Sequence, residues 1–201
     1  MIFHKYKNID INDEIGVSPI GKDTLLIAKH AKKIKSNNAL DVGTGTGFIP
    51  IYLNKCGLHC DGIDISPLVI KCASDNARKN NCEINFFTSD LFQNVSKQYD
   101  LLIFNPPFGN TNSETLSKYL EIIKSLFPKE NRVISNASYF FIKKNRVKLI
   151  LRFFDQFKKN FQKNGKILLF LHKSELKIIQ KFSYEILDEY DSMKLVLIYF
   201  N

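Results

Sequence analysis

The stretch that most constrains this chain of 201 residues is ALDVGTGTGFIPIYL, residues 39–53. Its first four residues predict a buried strand, and Gly43 to Gly47 form a glycine-rich turn directly after it. A helix then follows, because apolar side chains recur at helical spacing and Pro50 falls in the first turn, where its missing amide costs little. Together, a strand, a glycine turn and a helix N-terminus predict a nucleotide-binding crevice.

The spacing of the glycines narrows the class of ligand. The pattern is D-x-G-x-G-x-G, from Asp41 to Gly47. A dinucleotide fingerprint, G-x-G-x-x-G, would need its third glycine where this chain has Phe48. An acid on the strand would repel a pyrophosphate, whereas it suits a cationic ligand such as an amino group or a sulfonium. A tight turn that only packs the helix on the strand is the alternative at this point.

Apolar and charged fractions of 44% and 24% are typical of a soluble globular protein. We expect a single domain over residues 1–201, with an N-terminal arm and helix in residues 1–35 and a helical insertion on the substrate side in residues 109–160. Asp23 is predicted to cap a helix over residues 24–35.

The composition also bears on metals and membranes. The four cysteines contain no C-x-x-C pair, and no pair of the four histidines has metal-ligand spacing, so no metal site is predicted. The N-terminal residues are too polar for a signal peptide, and no apolar run is long enough to cross a bilayer. We therefore expect a cytoplasmic protein without a membrane partner; its oligomeric state stays open.

Strands alternate with helices along the chain, and this pattern predicts an α/β fold. We expect a doubly wound, seven-stranded, mostly parallel sheet with an antiparallel edge strand. The predicted strands are residues 39–42, 59–65, 84–88, 101–104, 166–171, 184–189 and 193–200. Beyond the helices already named, we predict helices at residues 67–80, 114–126, 145–160 and 174–181.

Three polar motifs follow the second, third and fourth predicted strands. Asp64, in GIDIS, stands at the spacing where an acid meets ribose hydroxyls. Asp90, in TSDLF, is expected within reach of an adenine amino group, although a simple turn aspartate is almost as good an explanation. Asn105 begins NPPFG. Since the carboxyl ends of parallel strands share one edge of a sheet, these side chains are expected to line one crevice.

The NPPF motif, residues 105–108, predicts a site for a flat nitrogen. Two prolines fix the backbone and remove two amide donors, which leaves the carbonyl of Pro106 free of competing local hydrogen bonds. With the side-chain oxygen of Asn105, it offers two acceptors for the two hydrogens of an NH2 group. Phe108 adds an apolar surface for stacking. The alternative is a Pro-Pro loop that simply ends a strand.

These motifs carry a resemblance. D-x-G-x-G-x-G resembles the first motif of class I S-adenosylmethionine-dependent methyltransferases. NPPF resembles the N-P-P-[YF] motif of amino methyltransferases that act on release-factor glutamine, on adenine or cytosine amines, or on ribosomal guanine. The resemblance covers about Pro19 to Gly109. The segment PIGKDTLL, residues 19–26, is similar to the P-x-x-D-T segment of the glutamine enzymes, with one extra residue before Asp23.

The resemblance implies a Rossmann-like fold, S-adenosylmethionine as cofactor, and N-methylation of a planar nitrogen. The cofactor is expected to be held by Asp41, Gly43, Thr44, Gly45, Gly47, Asp64, Ile65, Asp90, Leu91 and Asn105. The acceptor is expected to be positioned by Asn105, Pro106, Pro107 and Phe108.

The identity of the methyl acceptor stays open at this stage. A protein glutamine and an RNA base amine present nearly the same NH2 group. The net charge of +9 favours RNA, although a proteome rich in lysine explains it equally well, whereas the segment PIGKDTLL favours a protein glutamine. A small-molecule amine, or a nucleotide- or RNA-binding domain without catalysis, are the alternatives.

Overall fold

The computed structural model describes residues 2–6, 8–13, 17, 19–107 and 145–200. Contacts between residues divide the chain into two compact units. The first combines Met1–Asn105 with Phe153–Asn201, and the second is Pro106–Arg152. Most of the insertion predicted at residues 109–160 lies outside the described residues, so its role and the single-domain organisation stay predictions.

Nine strands and four helices are defined in the described residues. The strands are β1 (Ile2–Tyr6), β2 (Ile9–Asp13), β3 (Ala39–Val42), β4 (Cys60–Asp64), β5 (Phe86–Thr88), β6 (Tyr99–Phe104), β7 (Phe161–His172), β8 (Ser183–Tyr190) and β9 (Met193–Tyr199). The helices are α1 (Lys22–Ala31), α2 (Phe48–Lys55), α3 (Pro67–Lys79) and α4 (residues 145–156). None of them combines the length and hydrophobicity that a bilayer-spanning helix needs.

Seven strands form one sheet in the order β5-β4-β3-β6-β7-β9-β8. Strands β3 to β7 pair in parallel, whereas β9 runs antiparallel to both of its neighbours, β7 and β8. The central strands are buried on both faces, as the apolar runs LLIF and ILLFL predict. The predicted fold class is therefore confirmed.

Aromatic side chains fill the core of the first unit between α4 and the sheet. The ring of Phe153 stacks on Phe104 of β6 with centroids 4.7 Å apart, and it lies 5.3 Å from the ring of Phe92. Phe157 continues this cluster towards Phe200 at 5.0 Å. The helix predicted from residue 145 is thus confirmed, although its last four predicted residues, Phe157–Asn160, form a 3-10 turn.

Local backbone geometry follows the sequence closely at α2 and α3. Gly57, with φ of +80°, follows the C-terminus of α2, and its amide donates to the carbonyl of Asn54 while that of Leu58 donates to Leu53. This is a Schellman motif, and it satisfies the last carbonyls of α2. Pro67 opens α3 at its first position, where a missing amide is tolerated.

The N-terminal arm differs from its prediction because it contains a β-hairpin, β1–β2. The amides of Asp10 and Asn12 in β2 donate to the side chains of Asn80 and Asn76, each at 2.9 Å. The hairpin is therefore attached to the end of α3 through side-chain amides. The β-structure of this segment was not predicted from the sequence because its strands are short and its composition is polar.

Two predicted helices also differ in detail. Helix α1 begins at Lys22 and ends at Ala31, rather than spanning residues 24–35, and its N-cap is Gly21. Asp23 therefore lies inside the first turn and does not cap the helix. The helix predicted at residues 174–181 is a 3-10 helix, Lys173–Ile178, that begins with a capping box between His172 and Glu175.

Candidate functional site

The register of the sheet brings the predicted motifs to one edge. The last residue of β3, Val42, pairs with Ile63 of β4 on one side and with Phe104, the last residue of β6, on the other. Asp64, the last residue of β4, pairs with Thr88, the last of β5. The residues that follow these positions therefore lie along the carboxyl edge of four neighbouring strands.

Hydrogen bonds fix the turn after β3 against β4. The amides of Gly43 and Thr44 both donate to the carbonyl of Ile63, at 2.8 and 2.9 Å. Gly43 and Gly47 have φ of +75° and +77°, a left-handed conformation that glycine adopts without strain. A side-chain carbon at position 43 would meet no atom within 4 Å, whereas one at position 47 would overlap Ala73 of α3.

The two glycines therefore serve different needs. Close packing of α2 against α3 requires the absence of a side chain at Gly47. At Gly43 the space above the backbone is open and the residue is exposed, so that a ligand can approach the main chain there.

Asp41 is the most perturbed carboxyl group of the site. It is 1% exposed, and the hydroxyl of Thr44 donates to its Oδ2 at 2.9 Å. Burial raises the pKa of Asp41 to about 7; the bond from Thr44 opposes this rise, and the neighbouring charge of Asp64 adds to it. A positive ligand near this carboxylate would restore its charge.

Asp64 is half-buried at the end of β4, and its carboxylate binds two backbone amides. The amide of Ser66 donates to Oδ1 at 3.1 Å, and that of Gly45 donates to Oδ2 at 3.5 Å. Burial raises its pKa, while these amides act in the opposite direction. Ser66 is the N-cap of α3, but its side chain makes no capping bond. The carboxylate thus keeps lone pairs available for the hydroxyls of a ribose.

A short turn after β5 carries Asp90 and Leu91. Leu91 is buried with φ of +50°, and its carbonyl accepts from the hydroxyl of Ser89 at 2.6 Å. The amide of Asn94 closes the turn by donating to the same hydroxyl at 3.1 Å. Asp90 is half-buried, and Ile65, on the loop after β4, is 65% exposed. An exposed apolar side chain beside this edge can cover a flat base.

Asn105 presents one half of its amide to the protein and leaves the other half free. Its Nδ2 donates to the carboxylate of Asp23 at 2.5 Å. Its Oδ1 is buried and has no hydrogen-bond partner within the described part of the chain. A buried carbonyl oxygen without a partner is costly unless a ligand donates to it. Reasoning from sequence did not assign Asp23 to the site, although PIGKDTLL pointed to this segment.

The remainder of the NPPF motif belongs to the second unit. Within that unit, the carbonyl of Pro106 accepts a hydrogen bond from Nη1 of Arg146, a buried arginine of α4. This bond joins residues 40 positions apart, so that the absence of competing local hydrogen bonds at this carbonyl stays a prediction, and its second lone pair can still accept. Pro107 is exposed, and Phe108 lies outside the described residues.

The model of one protein family, the methyltransferase small domain, matches residues 17–128, which is more than half of the chain. The chain belongs to the methyltransferase small domain family. The motifs that the sequence analysis singled out lie inside this match, including the glycine turn, the three aspartates Asp41, Asp64 and Asp90, and Asn105.

Several relatives resemble this family member over part of their length. A Methanocaldococcus jannaschii protein, described provisionally as a protein N5-glutamine methyltransferase, is 41% identical over 101 residues, which are 49% of this chain and 51% of that protein. A ribosomal RNA small subunit methyltransferase C from Buchnera aphidicola is 38% identical over 108 residues, 51% of this chain and 31% of that one. The chain thus spans about half or less of these relatives' length.

A solved structure shows the same fold over nearly the whole chain. The ribosomal protein L11 methylase of Lactobacillus delbrueckii has a TM-score of 0.64 and 18% identity, and the match covers 95% of this chain and 86% of that one. The seven-stranded methyltransferase fold of the family is therefore present here, with the crevice residues at its carboxyl edge.

Proposed function

We propose that this protein is an S-adenosylmethionine-dependent methyltransferase that methylates the planar NH2 group of a macromolecule, first of all a glutamine side chain of a protein. The observation that carries the proposal is the buried, unpartnered Oδ1 of Asn105 at the end of β6. A buried acceptor at this position selects a substrate that donates a hydrogen bond, and an amide or base amine does so.

The cofactor side of the proposal is supported by the two acids and the open glycine turn. When bound, S-adenosylmethionine supplies an electrophilic methyl group on a positively charged sulfur. Asp41 and Asp64 place negative charge beside the crevice, which suits the positive groups of this cofactor, and Asp64 retains lone pairs for ribose hydroxyls. The backbone at Gly43 is open to approach. The residues present therefore fit the group.

The contribution of the chain to the reaction is orientation. The Oδ1 of Asn105 accepts one hydrogen of the acceptor NH2, and the second lone pair of the Pro106 carbonyl is proposed to accept the other. Two such bonds turn the nitrogen lone pair away from conjugation and towards the methyl group. Holding a nucleophile in this geometry supplies a large share of the rate enhancement in a displacement. No charged base is needed, because the proton leaves after transfer.

A protein glutamine is favoured as the acceptor because the relative at 41% identity is described provisionally as a protein N5-glutamine methyltransferase. An RNA base amine is the second candidate, and a specific surface supports it. A groove of about 400 Å3 between α1 and α2 is lined by four lysines (Lys22, Lys29, Lys32, Lys33), leucines and Tyr52. Ammonium groups beside an aromatic ring suit phosphates and bases.

We also propose that the protein is located in the cytoplasm, where both kinds of acceptor occur.

The proposal is tested by incubating the purified protein with methyl-labelled S-adenosylmethionine and fractionated cell extract. We expect label in the protein fraction, sensitive to protease and resistant to ribonuclease, and methylglutamine in its digest. The variant Asn105→Ala should transfer methyl groups at least about 100-fold more slowly than the wild type, because the acceptor is no longer oriented. Its affinity for S-adenosylmethionine, measured by calorimetry, should stay within about threefold of the wild type.

Label that is removed by ribonuclease would favour the RNA candidate instead. Equal loss of cofactor binding and of transfer in Asn105→Ala would contradict the role given to this side chain. Binding of S-adenosylmethionine without transfer to any fraction would contradict the proposed activity.

A further inference from the structure

The carboxylate of Asp23 contacts Asn105, in addition to standing where an acid favours the helix dipole. It lies inside the first turn of α1, it makes no capping bond, and its Oδ2 accepts from Nδ2 of Asn105 at 2.5 Å. The two residues are separated by 82 positions in the chain. The bond therefore depends on the docking of α1 beside the end of β6.

We propose that Asp23 is a positioning residue that locks the side-chain amide of Asn105 with its oxygen towards the acceptor site. This inference rests on the proposed function, because it assigns a purpose to the orientation of Asn105 in the same site.

The chemistry of the pair fixes the direction of the amide. An ionised carboxylate only accepts hydrogen bonds, so the group that faces Asp23 has to be the NH2 of Asn105. The oxygen then points the other way, where it is buried and lacks a partner in the described residues. Without Asp23, a rotation of 180° would turn NH2 towards the site. The site would then present a donor to a substrate NH2 group that also donates.

The backbone before α1 is shaped around this carboxylate. Gly21, the N-cap of α1, has φ of −98° and ψ of 176°, an extended conformation that any residue adopts. A methyl group at this position would nevertheless overlap Oδ1 and approach Cγ of Asp23. The absence of a side chain at Gly21 thus leaves room for the carboxylate, and Gly21→Ala offers a way to displace it without removing it.

The first experiment measures turnover of the full chain with the extract fraction that the wild type labels. For Asp23→Ala we expect kcat to fall on the order of 10- to 100-fold, since a hydrogen bond to a charged group no longer holds the reacting geometry. Asp23→Asn keeps an acceptor oxygen, and its neutral bond is weaker, so it should remain within about fivefold of the wild type. Gly21→Ala should resemble Asp23→Ala.

Cofactor affinity and thermal unfolding separate positioning from a structural role. We expect the affinity for S-adenosylmethionine to change less than about threefold in all three variants, since Asp23 is not among the cofactor residues. Asp75→Ala, which removes an exposed aspartate from α3, is the matched control and should behave as the wild type. Variants that lose turnover only in proportion to their folded fraction would overturn the inference, as would an inactive Asp23→Asn.

The second experiment needs no acceptor. The side-chain NH2 resonances of Asn105 in a 15N-labelled protein are identified by their absence in Asn105→Ala. We expect Asp23→Ala to shift them and to bring their exchange with water closer to that of free amides, and Asp23→Asn to do so less. If the resonances are unchanged in Asp23→Ala, Asp23 does not position the amide of Asn105, while the proposed function is left intact. A wild-type protein that transfers no methyl group would overturn the proposed function. The resonances would still show whether Asp23 holds the side-chain amide of Asn105.

Discussion

The carboxyl group of Asp41 allows a test of the site that requires no methyl acceptor. Burial raises its pKa from 3.8 to about 7, and the hydroxyl of Thr44 only partly opposes this. In the unfolded chain the same group ionises near pH 4. Between these two values the folded state binds more protons than the unfolded state. The free energy of unfolding therefore falls as the pH rises through this window.

The magnitude follows from the size of the shift. About 3 pKa units at about 1.4 kcal/mol each make a contribution of about 4 kcal/mol that is complete below pH 4 and lost above pH 7. Between pH 5 and pH 8 the wild type should lose about 2–3 kcal/mol of stability through this group. Asp41→Asn cannot ionise, but it keeps an oxygen for the hydroxyl of Thr44. The variant should therefore lack this part of the pH dependence.

The assay is urea unfolding of both proteins at four pH values between 5 and 8. Asp75→Asn is the matched control, because the hydrogen bond and charge of Lys71, with the charge of Arg78, lower the pKa of that exposed carboxyl. Asp75 is thus ionised throughout this range, and its substitution should leave the slope unchanged. If the curves of the wild type and Asp41→Asn run parallel, the reasoning about Asp41 is refuted.

The same carboxyl group should report cofactor binding. A positively charged ligand favours the ionised form, so that S-adenosylmethionine should release a proton from the wild type near pH 6.5. Calorimetry in buffers with different ionisation enthalpies measures this proton. Asp41→Asn should release none, and a wild type without proton release would place the positive charge of the cofactor away from Asp41.

Three further variants test the acids and glycines of the crevice. Asp64→Ala should weaken the binding of S-adenosylmethionine by about 1–3 kcal/mol, the cost of losing hydrogen bonds to a charged group, and unchanged affinity in calorimetry would contradict its role at the ribose. Gly47→Ala should destabilise the fold by about 2–4 kcal/mol in urea, because it combines left-handed strain with an overlap on Ala73. Gly43→Ala should cost about 1 kcal/mol of stability but abolish cofactor binding, and a variant that binds as the wild type would show that no ligand fills this space.

The parts of the fold that were predicted from sequence depend on local patterns. The strand at Ala39–Val42 has its predicted bounds, and Pro67 and Gly57 stand at the helix ends where their backbone preferences put them. The shared edge of the sheet followed from the alternation of strands and helices alone. The strand and the helix ends are each encoded by a short local pattern, and the alternation is visible along the chain, so that a reading of the sequence finds them.

The parts that were missed join residues that are distant in sequence. The bond of Asp23 to Asn105 depends on where α1 docks, and that of Arg146 to Pro106 spans 40 positions. A local reading assigned Asp23 to a helix cap, because aspartate before an apolar run is a typical cap. Only the structure shows that Gly21 is the N-cap and that the carboxylate of Asp23 accepts from Asn105 instead.

A comparison with Asp61 explains why the carboxyl edge of the sheet is best understood as a ligand site. Asp61, near the amino end of β4, is also fully buried, but the hydroxyl of Tyr99 at 2.8 Å and the ammonium group of Lys97 at 3.3 Å bind its Oδ2, while its Oδ1 has no hydrogen-bond donor in the described residues. Within the described residues, Asp41 is bound only by the hydroxyl of Thr44 and faces no cation. Partners offset part of the desolvation cost of a buried acid, whereas a buried acid without a cation lowers stability near neutral pH. The Oδ1 of Asn105 is likewise buried without a donor. One edge thus combines a group that needs a cation with one that needs a hydrogen-bond donor, and a sulfonium cofactor with an amide substrate would satisfy both.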